Sequence, residues 1–344
     1  MDSRLKDRTR QRRWNVLFLP LLCFACATPF VAPLRVAQDA TPASLHVFHS
    51  DRYEWLYFSG VVDTTEGRQL GVMFTVFQFV HPVTQAFIYP SILVVLDPDG
   101  KTYNAQMSSG TSGNHVVHGW PSVDTKSAHF GLAEDGSMRI SGEFSDEKPM
   151  VAMDLTVTPT RPPLLHGVDG IIKMGDGLDS GYYSLTNLKP GGGVTVGAQR
   201  YTVTGGRLWM DHQWGNWTSA GLHWDWFSLR FDDGGALMLF QFRDPQNRVV
   251  PGNWTYRAAD GAVKHGSAYK LETARVYKDP ADGARFPLDW KIRIDDLDLT
   301  ANVSPRFDAQ RFKFLWEGLA TVSGTLAGKP TSGHAFVELT GYSK

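Results

Sequence analysis

The side chains best equipped for chemistry lie in one stretch, Trp209 to Ser228, where five of the eleven tryptophans (Trp209, Trp214, Trp217, Trp224 and Trp226) stand among Asp211, His212, His223 and Asp225. Carboxylates and imidazoles move protons, and each indole offers a large apolar face with one N–H donor. A carboxylic acid buried among such rings is desolvated and keeps its proton near neutral pH. The ring faces attract a cation by about 2 kcal/mol or more when dry. An acid, a base or water-positioning group and cation-facing walls suit acid–base chemistry on an apolar substrate. On that reading Asp211 or Asp225 is the acid, His212 the base or water-positioning group, and Trp214 and Trp224 the cation-facing walls, with Trp217 and Trp226 beside them. Glu54, next to Trp55, is a second candidate acid. Successive strand residues face opposite ways, so Asp225 points away from whatever Trp224 and Trp226 line, which favours a surface role. The same rule sets Glu54 opposite Trp55 and Tyr57. Asp211 and His212 could equally hydrogen-bond backbone groups at a turn.

Other chemistries find less support. The spacing of Asp211, His212, His223 and Asp225 matches no standard metal signature, and His49, His115, His118 and His129 are scattered, so neither metal nor other cofactor is expected. Gly-x-Ser-x-Gly is absent, which argues against a nucleophile-elbow hydrolase. Glycoside cleavage by two carboxylates stays open for a tryptophan-rich chain.

The elements that must position these groups read as strands. Met150 to Thr158 alternates, with Val151, Met153, Leu155 and Val157 on one face, and Leu288 to Asp295 does the same through Leu288, Trp290, Ile292 and Ile294. Asp-Gly pairs at 99–100, 135–136, 233–234, 260–261 and 282–283 mark turns. No stretch holds a capped helical period, so the class is all-β with antiparallel hairpins. The chain also matches itself. Trp55-Leu56-Tyr57-Phe58-Ser59, then Phe77-Gln78-Phe79, corresponds to Trp224-Asp225-Trp226-Phe227-Ser228, then Phe240-Gln241-Phe242. Two homologous β domains follow, spanning residues 46–205 and 206–344, with the boundary at Gly205-Gly206.

Ahead of them, a basic head and an apolar run of about fourteen residues end at Ala25-Cys26-Ala27, the pattern of a secretory signal peptide over residues 1–27, followed by a linker over 28–45. The expected product is periplasmic or secreted, with membrane association if Cys26 is lipidated. The first 27 residues hold six basic and two acidic side chains, leaving −5 on the remainder. That balance argues against nucleic acid as a partner.

Several spaced motifs resemble those of the AttH-like/carotenoid 1,2-hydratase family: His49-x4-Glu54-Trp55-x-Tyr57-Phe58, Tyr182-Tyr183-Ser184, Trp209-Met210-Asp211-His212-x-Trp214, Asp225-Trp226-Phe227-Ser228, Trp316-Glu317-Gly318 and Val337-Glu338-Leu339-Thr340-Gly341-Tyr342. The resemblance covers residue 46 to the end. It implies two tandem lipocalin-like, calycin-type β-barrels. It also implies, for some members, a hydratase that adds water to an isoprenoid C=C bond. Tyr57, Tyr183 and Gln241 join the tryptophans as expected substrate-binding residues. Three departures stand out: Leu56 replaces a common tryptophan, Gln213 a common glutamate, and Leu237 to Phe242 lacks the tyrosine and aspartate of hydratase members. The expectation is therefore a hydratase/lyase-type enzyme acting on a carotenoid-like substrate, with a non-catalytic carrier of an apolar ligand as the alternative. The missing tyrosine and aspartate favour the carrier, and the retained Asp211-His212 favours chemistry.

Overall fold

In a computed structural model, residues 48–342 are described apart from 82, 111–114, 117–121, 176–177, 217–222 and 251. The expected leader and linker, and Trp217, lie outside these residues. Among them the chain is almost wholly β, with one short 3-10 turn at Asp295–Leu297.

The strands form two antiparallel sheets of fourteen and eleven strands, and the main path through each is the same. In the first sheet, Tyr53–Thr64 lies between its hairpin partner Gln69–Val80 and the long closing strand Gln199–Gly215, beyond which come Leu178–Val196, Val151–Pro159 and Met138–Phe144. In the second, His223–Phe231 lies between Ala236–Arg243 and the closing strand Lys329–Leu339, followed by Leu315–Leu326, Leu299–Pro305 and Arg285–Ile294. The internal sequence match thus corresponds to a repeated topology, each half a lipocalin-like curled sheet.

Period-two patterning decides what each face meets. The inward residues Leu56, Phe58 and Val62 of the opening strand join Phe74, Val76, Leu155 and Met210 in the core of the first barrel. Phe227, Leu229 and Phe231 do the same in the second barrel with Trp290, Ile292 and Trp316. The outward faces are also buried. Tyr57, Met73, Val94 and Trp209 of the first sheet pack against Trp226, Met238, Phe240 and Phe336 of the second. Strand Ala236–Arg243 therefore has every residue buried, which is why ALMLFQF reads as a continuous apolar run rather than an alternation. By contrast, Val151–Pro159 and Arg285–Ile294 expose one face and alternate as expected.

The expected domain boundary at Gly205-Gly206 does not hold. The closing strand of the first sheet runs through it to Gly215, and the second sheet begins at His223. The glycines mark a bend: register slips between Asp63 and Thr64 opposite this point, and Gly206 has φ +119°. A Cβ on Gly206 would lie 2.2 Å from the Val61 carbonyl oxygen. Glycine pairs serve bulges as readily as linkers. Trp209 to Gly215 thus belongs to the first barrel. Replacing Gly206→Val should destabilise the protein by about 3 kcal/mol, combining a strained φ with a backbone clash; urea unfolding monitored by tryptophan fluorescence measures it, and a change within about 0.5 kcal/mol would contradict the bend.

Candidate active site

Along the closing strand of the first barrel, Trp209, Asp211 and Gln213 face the second sheet while Met210, His212 and Trp214 face their own barrel. Adjacent in sequence, Asp211 and His212 are thus parted by the pleat.

Asp211 is 3% exposed and is the end point of several hydrogen-bond chains. Trp209 Nε1–H donates to Oδ1 at 2.6 Å, Tyr182 O–H donates to Oδ2 at 2.9 Å, and the Ser184 hydroxyl donates to Oδ1. Behind them, Trp226 Nε1–H donates to the Tyr182 oxygen at 3.0 Å, and His166 Nε2 lies 2.6 Å from Ser184 Oγ. Burial pushes the Asp211 carboxyl up to about 7, although the donors from Ser184, Trp209 and Tyr182 work against that rise. Burial also draws the His166 imidazole down to about 3, so it is neutral.

Two further carboxyls complete the site from the second barrel. Glu317 and Glu338 are cross-strand neighbours, each no more than intermediate in exposure and both lining the same cavity as Asp211. Tyr57 O–H donates to Glu317 Oε1 at 2.6 Å and Trp224 Nε1–H to Glu338 Oε1 at 2.8 Å. Burial raises Glu338 to about 7, with the Trp224 donor opposing and the Asp211 charge adding to the rise. Burial and the neighbouring Glu338 also raise Glu317 well above the ordinary carboxyl value, with the Tyr57 donor opposing. The cavity has a volume of about 340 Å³ and is walled by Trp55, Tyr57, Phe77, Trp224, Trp226 and Phe240, a size suited to a small organic molecule. Phe312, Lys313 and Phe314, at the turn of a short hairpin, also border it.

The expected site residues divide into three places. Asp211, Tyr57, Trp224 and Trp226 line the cavity. Glu54, His212, Tyr183 and Trp214 sit together at the end of the first barrel, where His212 Nε2 is 2.6 Å from Glu54 Oε1 and the Tyr183 hydroxyl 3.0 Å from His212 Nδ1. Burial pushes the Glu54 carboxyl up, but hydrogen bonds from His212 and His49 outweigh it and hold the group below its ordinary value. Gln241 is at the end of the second barrel, its side-chain amide donating to Asp225 Oδ2 at 2.8 Å. The surface role expected for Asp225 is corrected: it is 3% exposed and also binds Arg243 at 3.1 Å. Trp224 and Trp226 turn out of their barrel toward the cavity, so the opposite face is the barrel interior rather than solvent.

Glu317 and Glu338 entered the sequence reading only as parts of family motifs. The repeat could have singled out Glu338. Asp211 pairs across the strands with Tyr57, and Glu338 pairs with Trp226; Tyr57 and Trp226 are matched positions of the duplication. Asp211 and Glu338 are therefore counterparts on the two closing strands.

Fold and cavity together define a tandem lipocalin-like protein whose two barrels enclose an apolar, acid-bearing site. The chain belongs to the AttH-like family, whose family model matches residues 37–342. It is 25% identical to the dehydratase asqC of Emericella nidulans over 61% of this chain and 63% of that enzyme. It is 24% identical to the kievitone hydratase of Fusarium solani subsp. phaseoli over 67% and 68% of the two chains. These relatives are hydratase/dehydratase-type enzymes. An AttH structure from Nitrosomonas europaea shares the fold with a TM-score of 0.77 at 23% identity, covering 92% of this chain and all of that one.

The raised acids carry a stability signature. Folded, Glu338 keeps its proton to about pH 7; unfolded, it releases it near its ordinary 4.5. The unfolded state is therefore increasingly favoured as pH rises between those values. Glu338→Gln should remove its share, on the order of 2–3 kcal/mol, so that the variant loses less melting temperature than the wild type between pH 5 and pH 8. Calorimetry at the two pH values decides it; parallel losses would mean Glu338 is ionised throughout.

Proposed function

We propose that this chain is an enzyme of the hydratase/dehydratase kind that adds water to, or removes it from, an apolar isoprenoid-like substrate held between the two barrels. The observation that carries this reading is the lining of the cavity, where aromatic walls surround two buried carboxyl groups, Asp211 and Glu317, and a partly buried third, Glu338. In the hydration direction, protonated Asp211 gives its proton to one alkene carbon and the π electrons form the new C–H bond. The cation left on the neighbouring carbon faces the rings of Tyr57, Trp224 and Trp226. Water adds its oxygen there and passes its surplus proton to Glu338. Glu317, next to Glu338, stays neutral because two adjacent buried carboxylates resist joint ionisation. Transfer of the proton from Glu338 back to Asp211 closes the cycle, and dehydration follows the same steps in reverse. The dehydratase and hydratase relatives support this reading. A periplasmic or secreted location, proposed from the leader-like residues 1–27, would suit a protein that meets membrane-derived apolar compounds.

Incubation of the purified protein with its co-extracted apolar ligand and with isoprenoid polyenes in ¹⁸O-labelled heavy water tests the proposal. Mass spectrometry should find one ¹⁸O and one carbon-bound deuterium per turnover. The rate should be bell-shaped and centred near pH 7, falling at higher pH as Asp211 loses its proton and at lower pH as Glu338 gains one. Asp211→Asn should lower it by about 10²-fold or more. A protein that retains a tightly bound apolar ligand but incorporates no label into any of these compounds would be a carrier instead.

A further inference from the structure

A second cluster lies outside the cavity, at the end of the first barrel. Here Glu54 Oε1 is 2.9 Å from His49 Nδ1 and 2.6 Å from His212 Nε2, and the three donor atoms all lie within 4.8 Å of one another. We propose that this cluster is a binding site for a divalent transition-metal ion of the zinc class, liganded by His49 Nδ1, Glu54 Oε1 and His212 Nε2. The proposal is independent of the reaction assigned to the cavity.

The first support is charge. Glu54 is fully buried, and a buried carboxylate is costly unless a positive partner is at hand. Among the described residues no lysine or arginine pairs with it; its ion-pair partners are the two imidazoles. A second carboxylate, Asp51, stands nearby on the same segment, held by Asn216 Nδ2 at 2.5 Å. The site is thus acidic, with two neutral-capable nitrogen ligands.

The second support is a comparison with the other barrel, where the carboxylate facing the matched glutamine has a built-in cation. Glu54 pairs across the strands with Gln78, and Asp225 pairs with Gln241. Gln78 and Gln241 are the central residues of the matched Phe-Gln-Phe motifs. In the second barrel the residue two places further on is Arg243, whose guanidinium meets Asp225 at 3.1 Å. In the first barrel that place is Val80. The carboxylate paired across from Gln241 therefore has a guanidinium, whereas Glu54, paired across from the matched Gln78, has two histidines in its place.

The third support is orientation. Metal-binding imidazoles are held by outer partners. The Tyr183 hydroxyl lies 3.0 Å from His212 Nδ1, leaving Nε2 for the ion. The His49 ring stacks on Trp214 with centroids 4.3 Å apart and planes 15° apart. The Gln78 side-chain amide donates to the carbonyls of His49 and Asp51 at 2.9 and 2.7 Å, fixing the segment that carries His49. With zinc bonds of about 2.1 Å, the edges of a ligand tetrahedron are about 3.4 Å, so each histidine nitrogen needs to part from Glu54 Oε1 by less than about 1 Å. The half-buried His49, with 28% side-chain exposure, can give that space and leaves solvent a route to the fourth position. Two imidazoles, one carboxylate and an open position suit Zn²⁺.

The test uses tag-free full-length protein, stripped with chelator and titrated with Zn²⁺ by calorimetry, and with Co²⁺ as a spectroscopic probe. One equivalent of Zn²⁺ should bind and raise the melting temperature, with binding lost as pH falls and the imidazoles protonate. Co²⁺ should show the visible absorption of a four-coordinate N/O site. His49→Ala, at the exposed edge and so compatible with folding, should weaken Zn²⁺ binding about 100-fold or more, as should Glu54→Gln. His129→Ala, at a separate histidine, should leave it intact. Absence of stoichiometric Zn²⁺ binding, or affinity undiminished in His49→Ala, would overturn the proposal.

Discussion

Asp211 stands where two sheets press their outer faces together, and a carboxyl group in that layer is tolerable only under narrow conditions. Ionised, it loses the solvation of bulk water and must be repaid by donors; neutral, it must still place its proton. The hydroxyls of Tyr182 and Ser184 and the indole N–H of Trp209 meet the first condition. The two hydroxyls also meet the second, because a hydroxyl can turn from donor to acceptor, with Trp226 N–H and the neutral His166 completing the chains behind them. Both protonation states of Asp211 are thereby accommodated without rearranging the fold. Residues from both barrels take part, so the proton chemistry of the site and the association of the two halves are a single structural matter.

The same layer explains the aromatic density. A strand whose two faces are both buried cannot alternate apolar with polar, and the interface layer is built from such strands. Large rings fill the space between two twisted sheets while leaving an opening between the barrels, and their N–H and O–H tips supply donors to the carboxyls: Tyr57 to Glu317, Trp224 to Glu338, Trp209 to Asp211. Wall and proton-handling groups are the same residues seen from two ends.

Much of the architecture was legible in the sequence because strands with one face toward solvent obey a simple period. Val151–Pro159 and Arg285–Ile294 alternate and do so in the fold. The repeat of Trp55 to Ser59 in Trp224 to Ser228 identified matched opening strands. What could not be read was the direction of each face. Parity separates Asp211 from His212 and Asp225 from Trp226, but it does not say which side is a barrel, which a cavity and which solvent; burial of both faces is a tertiary fact. Gly205-Gly206 misled for a local reason, since a bulge and a linker ask for the same freedom at φ. Glu317 and Glu338 lie roughly a hundred residues beyond the tryptophan-rich stretch, and only strand pairing brings them to it.

Duplication supplies the last step. Each barrel places an acid on its closing strand opposite the same position of its opening strand, Asp211 opposite Tyr57 and Glu338 opposite Trp226. When the outer faces meet, the two acids come to border one cavity. Equivalent origins have not given equivalent surroundings. Asp211 receives three donors, whereas Glu338 receives an indole N–H and lies beside another carboxyl, Glu317. In the proposed cycle the two carboxyls exchange a proton, which calls for environments different enough to hold it in turn and similar enough to pass it on. A pair at equivalent places on the two closing strands, bordering one apolar cavity and unequally supplied with donors, suits both requirements; a single barrel, with one such acid on its outer face, suits neither.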